Sequence, residues 1–186
     1  MKTSIVTLAA VVVLVAPMLG QLAAQEADRD LIGQRLEAYA DRLRLGMTLA
    51  TVAAFSPLLE NVHLHAQQLV NLLEGSRGRH FVRTLSTRSD DSGLIDETDA
   101  VGTALRRWAE TSPLREPVLI AIENVRTYLH MALDASLSAL EQRRQERAVA
   151  EMLRAFAYLS AALGREADPA YVPGLLTISR LVTRGR

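Results

Sequence analysis

From Glu26 onward apolar residues return at helical spacing almost without interruption, and no stretch of useful length alternates with period two. A chain patterned this way can bury its hydrocarbon only by packing amphipathic helices, so the sequence predicts an all-α protein, an antiparallel helical bundle of four to six helices. Aromatic residues make up only 4% of the chain, which requires an aliphatic core.

The spacing predicts a first helix over residues 26–54, with Gly46 as a weak point. Ser56 and Pro57 are suited to open a second helix, one as a cap and the other at the first helical position. Gly75 is suited to end it. Residues 75–95 are rich in Gly, Ser and Arg, lose the periodicity and read as one long loop. Asp96 or Thr98 opens a third helix reaching about Glu110. The pattern resumes at Val118, meets the polar patch EQRRQER at 141–147 and continues to Leu163; a helical hairpin is preferred over one very long helix. A proline-containing tail, residues 168–186, carries a short apolar piece expected to pack as a last helix.

Before this domain, residues 1–24 have the build of a secretory signal peptide: Lys2, an apolar run from Ile5 to Ala16, a break at Pro17 and small residues up to Ala24. That run is shorter than the roughly 20 apolar residues a membrane span needs. The expectation is an exported protein, periplasmic or extracellular, comprising residues 25–186 and lacking stable membrane insertion.

Lys2 is the sole lysine and there is no cysteine, so the exported chain offers no disulfide, no thiolate nucleophile, no Schiff-base lysine and no phosphate-binding lysine loop. Charge is balanced, with 21 basic and 21 acidic residues, which gives no field for recruiting nucleic acid.

Three groups of residues invite a functional reading. His63 and His65 lie two positions apart on the second helix, about 200° around its axis, so one ion cannot take both. They flank an apolar stripe of Leu59, Val62, Ala66, Leu69 and Leu73, each facing a different neighbour, while Glu60, Gln67, Asn71 and Glu74 form the opposite, polar side. A transition metal or haem between helices would instead join His65 to His130, whose own helix carries Glu123 and Asp134 on the same side. Arg126, near the apolar stripe of that helix, needs a carboxylate such as Glu74.

The second group is RSDDSGLIDETD, residues 88–99. With Gly93 at the sharp turn of an EF-hand-like loop, Asp90, Ser92, the Leu94 carbonyl, Asp96 and Asp99 fall at ligand positions, and calcium is the cofactor left open. Arg88 occupies the first position, where a carboxylate belongs. The Asp-rich turn also suits capping of the third helix. The third group is basic: Arg77, Arg79 and Arg83, with no acid between Glu74 and Asp90, suited to an acidic partner or an anion.

The run HAQQLVNLLEG followed by this acidic, glycine-containing loop resembles a group of uncharacterised exported bacterial helical proteins with H-A-x-x-[VL]-[IV]-N-[IL]-[IL]-x-G before such a loop. His65, Asn71 and Gly75 stand at its motif positions; Gln68 replaces a second histidine common in the group. The resemblance covers about residues 63–100 and implies no activity. With no G-x-S-x-G, H-E-x-x-H or phosphate loop, the expected function is non-enzymatic binding of an envelope protein or a small ligand, with metal binding as the alternative.

Overall fold

A computed structural model describes residues 6–86, 92–110, 113–164 and 173–184, with side-chain surroundings from Glu26 on, Ala27 and Arg184 excepted. Among the described residues six α-helices follow one another: α1 (Val6–Ala54), α2 (Leu59–Glu74), α3 (Leu94–Ala109), α4 (Arg115–Glu141), α5 (Gln145–Leu163) and α6 (Leu175–Arg184). A 3-10 turn, Arg83–Leu85, lies between α2 and α3. The protein is an all-α bundle, as the periodicity requires. Among the described residues no helix is long and apolar enough to cross a membrane.

The core is aliphatic, and its tightest packing uses small residues. Ala148, Ala155 and Ala162, one every seven positions along α5, are fully buried. Gly46 does not weaken α1, which runs through it; a Cβ there would lie 3.3 Å from both Leu159 and Leu69, so at Gly46 both α2 and α5 approach α1 closely. A methyl-sized change at such a contact is felt directly.

Helix boundaries correct the sequence reading at two points. Ser56 does not cap α2: its hydroxyl donates back to the Val52 carbonyl at 2.7 Å, and Leu58 is the uncapped first residue outside α2. α3 begins at Leu94, earlier than Asp96, because the Gly93 carbonyl already receives the Glu97 amide at 3.0 Å. The α4–α5 region is a hairpin, although residues 142–144 contain neither Gly nor Pro. The break is fixed by tertiary bonds. His63 Nε2 reaches the Gln142 carbonyl at 3.1 Å, and Gln145 Nε2 donates to the Ser56 carbonyl at 2.9 Å, which ties the α4–α5 turn to the α1–α2 turn.

The architecture occurs twice. The hairpin α1–α2 is followed by α3, and the hairpin α4–α5 by α6. Exchanging the two triplets maps the packing of α1 on α5 onto that of α4 on α2, α3 on α4 onto α6 on α1, and α1 on α3 onto α4 on α6. The same device closes each triplet. Gly75 ends α2 with φ 72 and Gly164 ends α5 with φ 78, and each abuts a second glycine, Gly93 or Gly174, immediately before the next helix. Even the support is repeated: Arg42 of α1 donates to the Ser92 carbonyl at 2.7 Å, and Asn124 of α4 to the Pro173 carbonyl at 3.3 Å.

Candidate functional site

The two triplets differ in the length of the connection between their last two helices. In the second, residues 165–173 join Gly164 to Gly174. In the first, a much longer segment leaves at Gly75 and returns at Gly93, although a Cβ on Gly75 would stand only 2.2 Å from the Gly93 nitrogen. The chain could pass from α2 to α3 almost directly. Residues 76–92 are therefore an excursion that closes on its own starting point, the geometry of an Ω-loop.

α2 holds the first part of this excursion with the side that the wheel marks as polar. Glu74 Oε2 accepts the His80 amide at 2.8 Å, and Gln67 Nε2 donates to the His80 carbonyl at 2.7 Å. Two residues on, Asn71 accepts the Val82 amide at 2.9 Å and donates to the Val82 carbonyl at 2.7 Å, as a neighbouring strand would. Backbone groups 80 and 82 point the same way because the segment is extended, with φ −114 and ψ 106 at Val82. A helix presenting side chains at i, i+4 and i+7 can thus meet four backbone groups on one edge. Glu74 Oε1 also bonds His80 Nδ1 at 2.8 Å, and its side chain is only 11% exposed. Gly78 passes directly over it: a Cβ at Gly78 would overlap Glu74 at 2.2 Å.

The side of α2 expected to face water instead carries the loop. Asn71 is buried for this reason. Glu74 is therefore not the partner of Arg126, whose Nε lies 3.7 Å from Asp99 of α3 at an exposed position.

A cavity of about 410 Å³ opens where the excursion meets the bundle. Glu74, Arg77 and Gly78 form one wall, Ile95 and Asp96 of α3 a second, and His130 and Leu133 of α4 a third. Ile95 and Leu133 pack against the core and give it an apolar floor. Arg77 and Asp96 are exposed at its rim, 3.9 Å apart.

Four of the five calcium-loop residues are described. Asp90 is outside the described residues. The Ser92 carbonyl receives Arg42, a cation in place of a cation site. The Leu94 carbonyl is inside α3, where it accepts Thr98 Oγ1 at 2.7 Å and has the Tyr39 hydroxyl at 3.1 Å. Asp96 and Asp99 are helical, paired with Arg77 and Arg126. His65 bonds Gln68 at 2.9 Å on its own helix and not a neighbour's, while His130 lines the cavity without it. Among the described residues no three His, Asp or Glu side chains gather as a metal site.

Tyr39 anchors the return point. It is fully buried, with its hydroxyl against both Thr98 and the Leu94 carbonyl. Burial pushes its phenol far above the ordinary value near 10, outweighing the opposing hydrogen bond from Thr98. Folded protein therefore keeps Tyr39 neutral while unfolded chains ionise it. Stability contributed by this group is complete below pH 10 and falls by about 1.4 kcal/mol per pH unit above it. In urea titrations between pH 9 and 11, Tyr39→Phe should flatten this decline relative to the parent; an identical slope would contradict the assignment.

Compared with protein-family models, curated proteins and solved structures, the chain matches none.

Proposed function

We propose that this protein is an exported, non-enzymatic helical bundle that binds a partner protein or a small ligand through the excursion 76–92 and the cavity beside it. One observation carries the reading: a segment that is topologically dispensable, since Gly75 and Gly93 touch, is nevertheless fastened to α2 at residues 80 and 82 by Gln67, Asn71 and Glu74. Loops that add nothing to connectivity and are still bonded to a rigid helix are where scaffolds place recognition. Gly164 and Gly174 close the matching connection in the same way, but positions 156, 160 and 163 of α5, aligned through Gly164 with Gln67, Asn71 and Glu74, are Phe, Ser and Leu.

The His80–Glu74 pair is an anchor in this reading. Both carboxylate oxygens are spent on the same residue, one on its ring and one on its amide, which fixes the loop and leaves no oxygen directed at a substrate. Export is supported by the start of the bundle. Among the α1 residues whose surroundings are described, Ile32 is the first in the core, and the exposed Glu26, Asp28 and Asp30 would suit the positive end of the helix left by cleavage near residue 25.

Replacing residues 76–92 by two or three glycines tests the reading. The shortened protein should keep its helical circular dichroism and melt cooperatively within a few degrees of the parent. Formaldehyde cross-linking in the native envelope, with mass spectrometry of co-purified small molecules, should give an adduct or a ligand with the full chain and neither with the shortened one. Retention of the same species by the shortened protein, or no species with the full chain, would overturn the proposal.

A further inference from the structure

The excursion has a chemical character as well as a shape. Arg77, Arg79 and Arg83 all project into solvent from its described part, and Val82, 37% exposed, stands between the last two. Arg77 has only the long contact with Asp96; Arg79 and Arg83 enter no ion pair among the described residues. Glu74, the acid that precedes the loop in sequence, is turned inward and occupied by His80, and the loop's own acids, Asp90 and Asp91, lie outside the described residues. Among the described residues three exposed helix arginines do meet an acid, Arg44 with Asp41, Arg126 with Asp99 and Arg154 with Glu151; what sets the loop apart is three exposed arginines close together beside an apolar-floored cavity.

Resting on the reading above, we propose that the loop docks an acidic protein segment: carboxylates of the partner pair with Arg79, Arg83 and Arg77, and an aliphatic side chain enters the cavity over Ile95 and Leu133. Planar guanidinium groups suit carboxylates bidentately, and charge of one sign selects the other. The bonds from α2 matter here because a loop ordered during folding loses little further entropy on binding. Asp96, at the cavity rim, is displaced from Arg77 by the incoming carboxylate and sets the limit on how acidic the residue entering the cavity can be. Asn71 acts as a positioning residue, since it touches Val82 and not the partner.

The test is selection of a random twelve-residue display library on the exported chain, followed by fluorescence anisotropy of the enriched peptides. Enriched peptides should be acidic with an aliphatic residue among the acids. The pair Arg79→Ala/Arg83→Ala should weaken them about tenfold at low salt, while Arg143→Ala/Arg147→Ala, exposed on the α4–α5 side, should stay within about twofold. Asn71→Ala should weaken binding without changing charge, and raising salt should weaken the parent and Asn71→Ala in parallel. Replacing peptide acids by their amides should abolish binding. Neutral or basic enriched peptides, equal losses for the two arginine pairs, or binding of polyphosphate in preference to every peptide would each overturn the proposal. Should the glycine-shortened protein lose its native adduct while selected peptides are not acidic, the binding site stands and only its chemistry falls; should the shortened protein keep the adduct, both fall.

Discussion

Gly75→Ala should lower stability by about 3–5 kcal/mol, seen as a melting temperature reduced by roughly 10 °C. Two costs coincide at this residue. Its φ of 72 and ψ of −177 lie in a region open essentially to glycine, and its missing Cβ is the space occupied by Gly93. The neighbour cannot give way, since the atoms at 2.2–2.8 Å are backbone of the residues that start α3. Gly93→Ala should cost a similar amount for the second reason alone. Its φ of −76 is ordinary, but a Cβ would lie 2.3 Å from the Glu74 carbonyl carbon and 2.5 Å from the Leu73 oxygen. Gly164→Ala shares the backbone cost with a looser contact, 3.1 Å to Gly174, and should fall below both. Gly33, in mid-helix with nothing within 4 Å of a Cβ, provides the contrast: Gly33→Ala should stabilise by about 0.5–1 kcal/mol. Thermal or urea denaturation of the four variants measures the order. A Gly75→Ala protein as stable as the parent would mean that α2 and α3 do not meet as described.

These contacts also show where the sequence is readable and where it is not. Helix existence is written in local periodicity, so α2 could be placed from Leu59, Val62, Ala66, Leu69 and Leu73, and Gly75 as its end. Polar residues on the opposite side carry no such information. Gln67, Asn71 and Glu74 look like a solvated face until the loop is seen to lie on them, because a wheel records which way a side chain points and not what arrives there. Asn71 and Gly75 stand at positions of the H-A-x-x-[VL]-[IV]-N-[IL]-[IL]-x-G pattern, and the structure gives both a task. His65, in the same run, has a bond only within its helix. The paired glycines were visible individually; that Gly75 meets Gly93 and Gly164 meets Gly174 depends on chain reversal, for which the repeated Gly-Leu at 93–94 and 174–175 was the available signal. The EF-hand-like spacing of residues 88–99 carried no sign that α3 begins inside it. Once Leu94 enters the helix, its carbonyl bonds within α3 and no longer faces inward to a loop centre.

Arg42 has the second large expected effect. Its guanidinium is buried at 9% residue exposure between α1 and the start of α3, bonded to the Glu97 carboxylate and to the Ser92 carbonyl, while Nε is buried without a partner. Arg42→Ala removes one end of a pair whose other end is three-quarters covered, and should cost about 2–4 kcal/mol. The loss is mostly the penalty of stranding Glu97, tempered by its remaining access to water, together with the space the long side chain filled. Glu97→Gln in the Arg42→Ala background should therefore recover a measurable part of the loss, and Arg42→Met with Glu97→Gln should recover most of it, because desolvating Arg42 and leaving Nε unmet already cost the parent much of what the ion pair contributes. A double-mutant cycle should report coupling of about 1–3 kcal/mol. Additive losses would show that Arg42 stabilises α3 through Ser92 and packing alone. The sign of the double variant decides what the pair is for: near-parental stability, combined with weaker protection of the Leu94 and Ile95 amides from exchange, would mark Arg42 and Glu97 as the fastening that fixes where the excursion returns to the bundle.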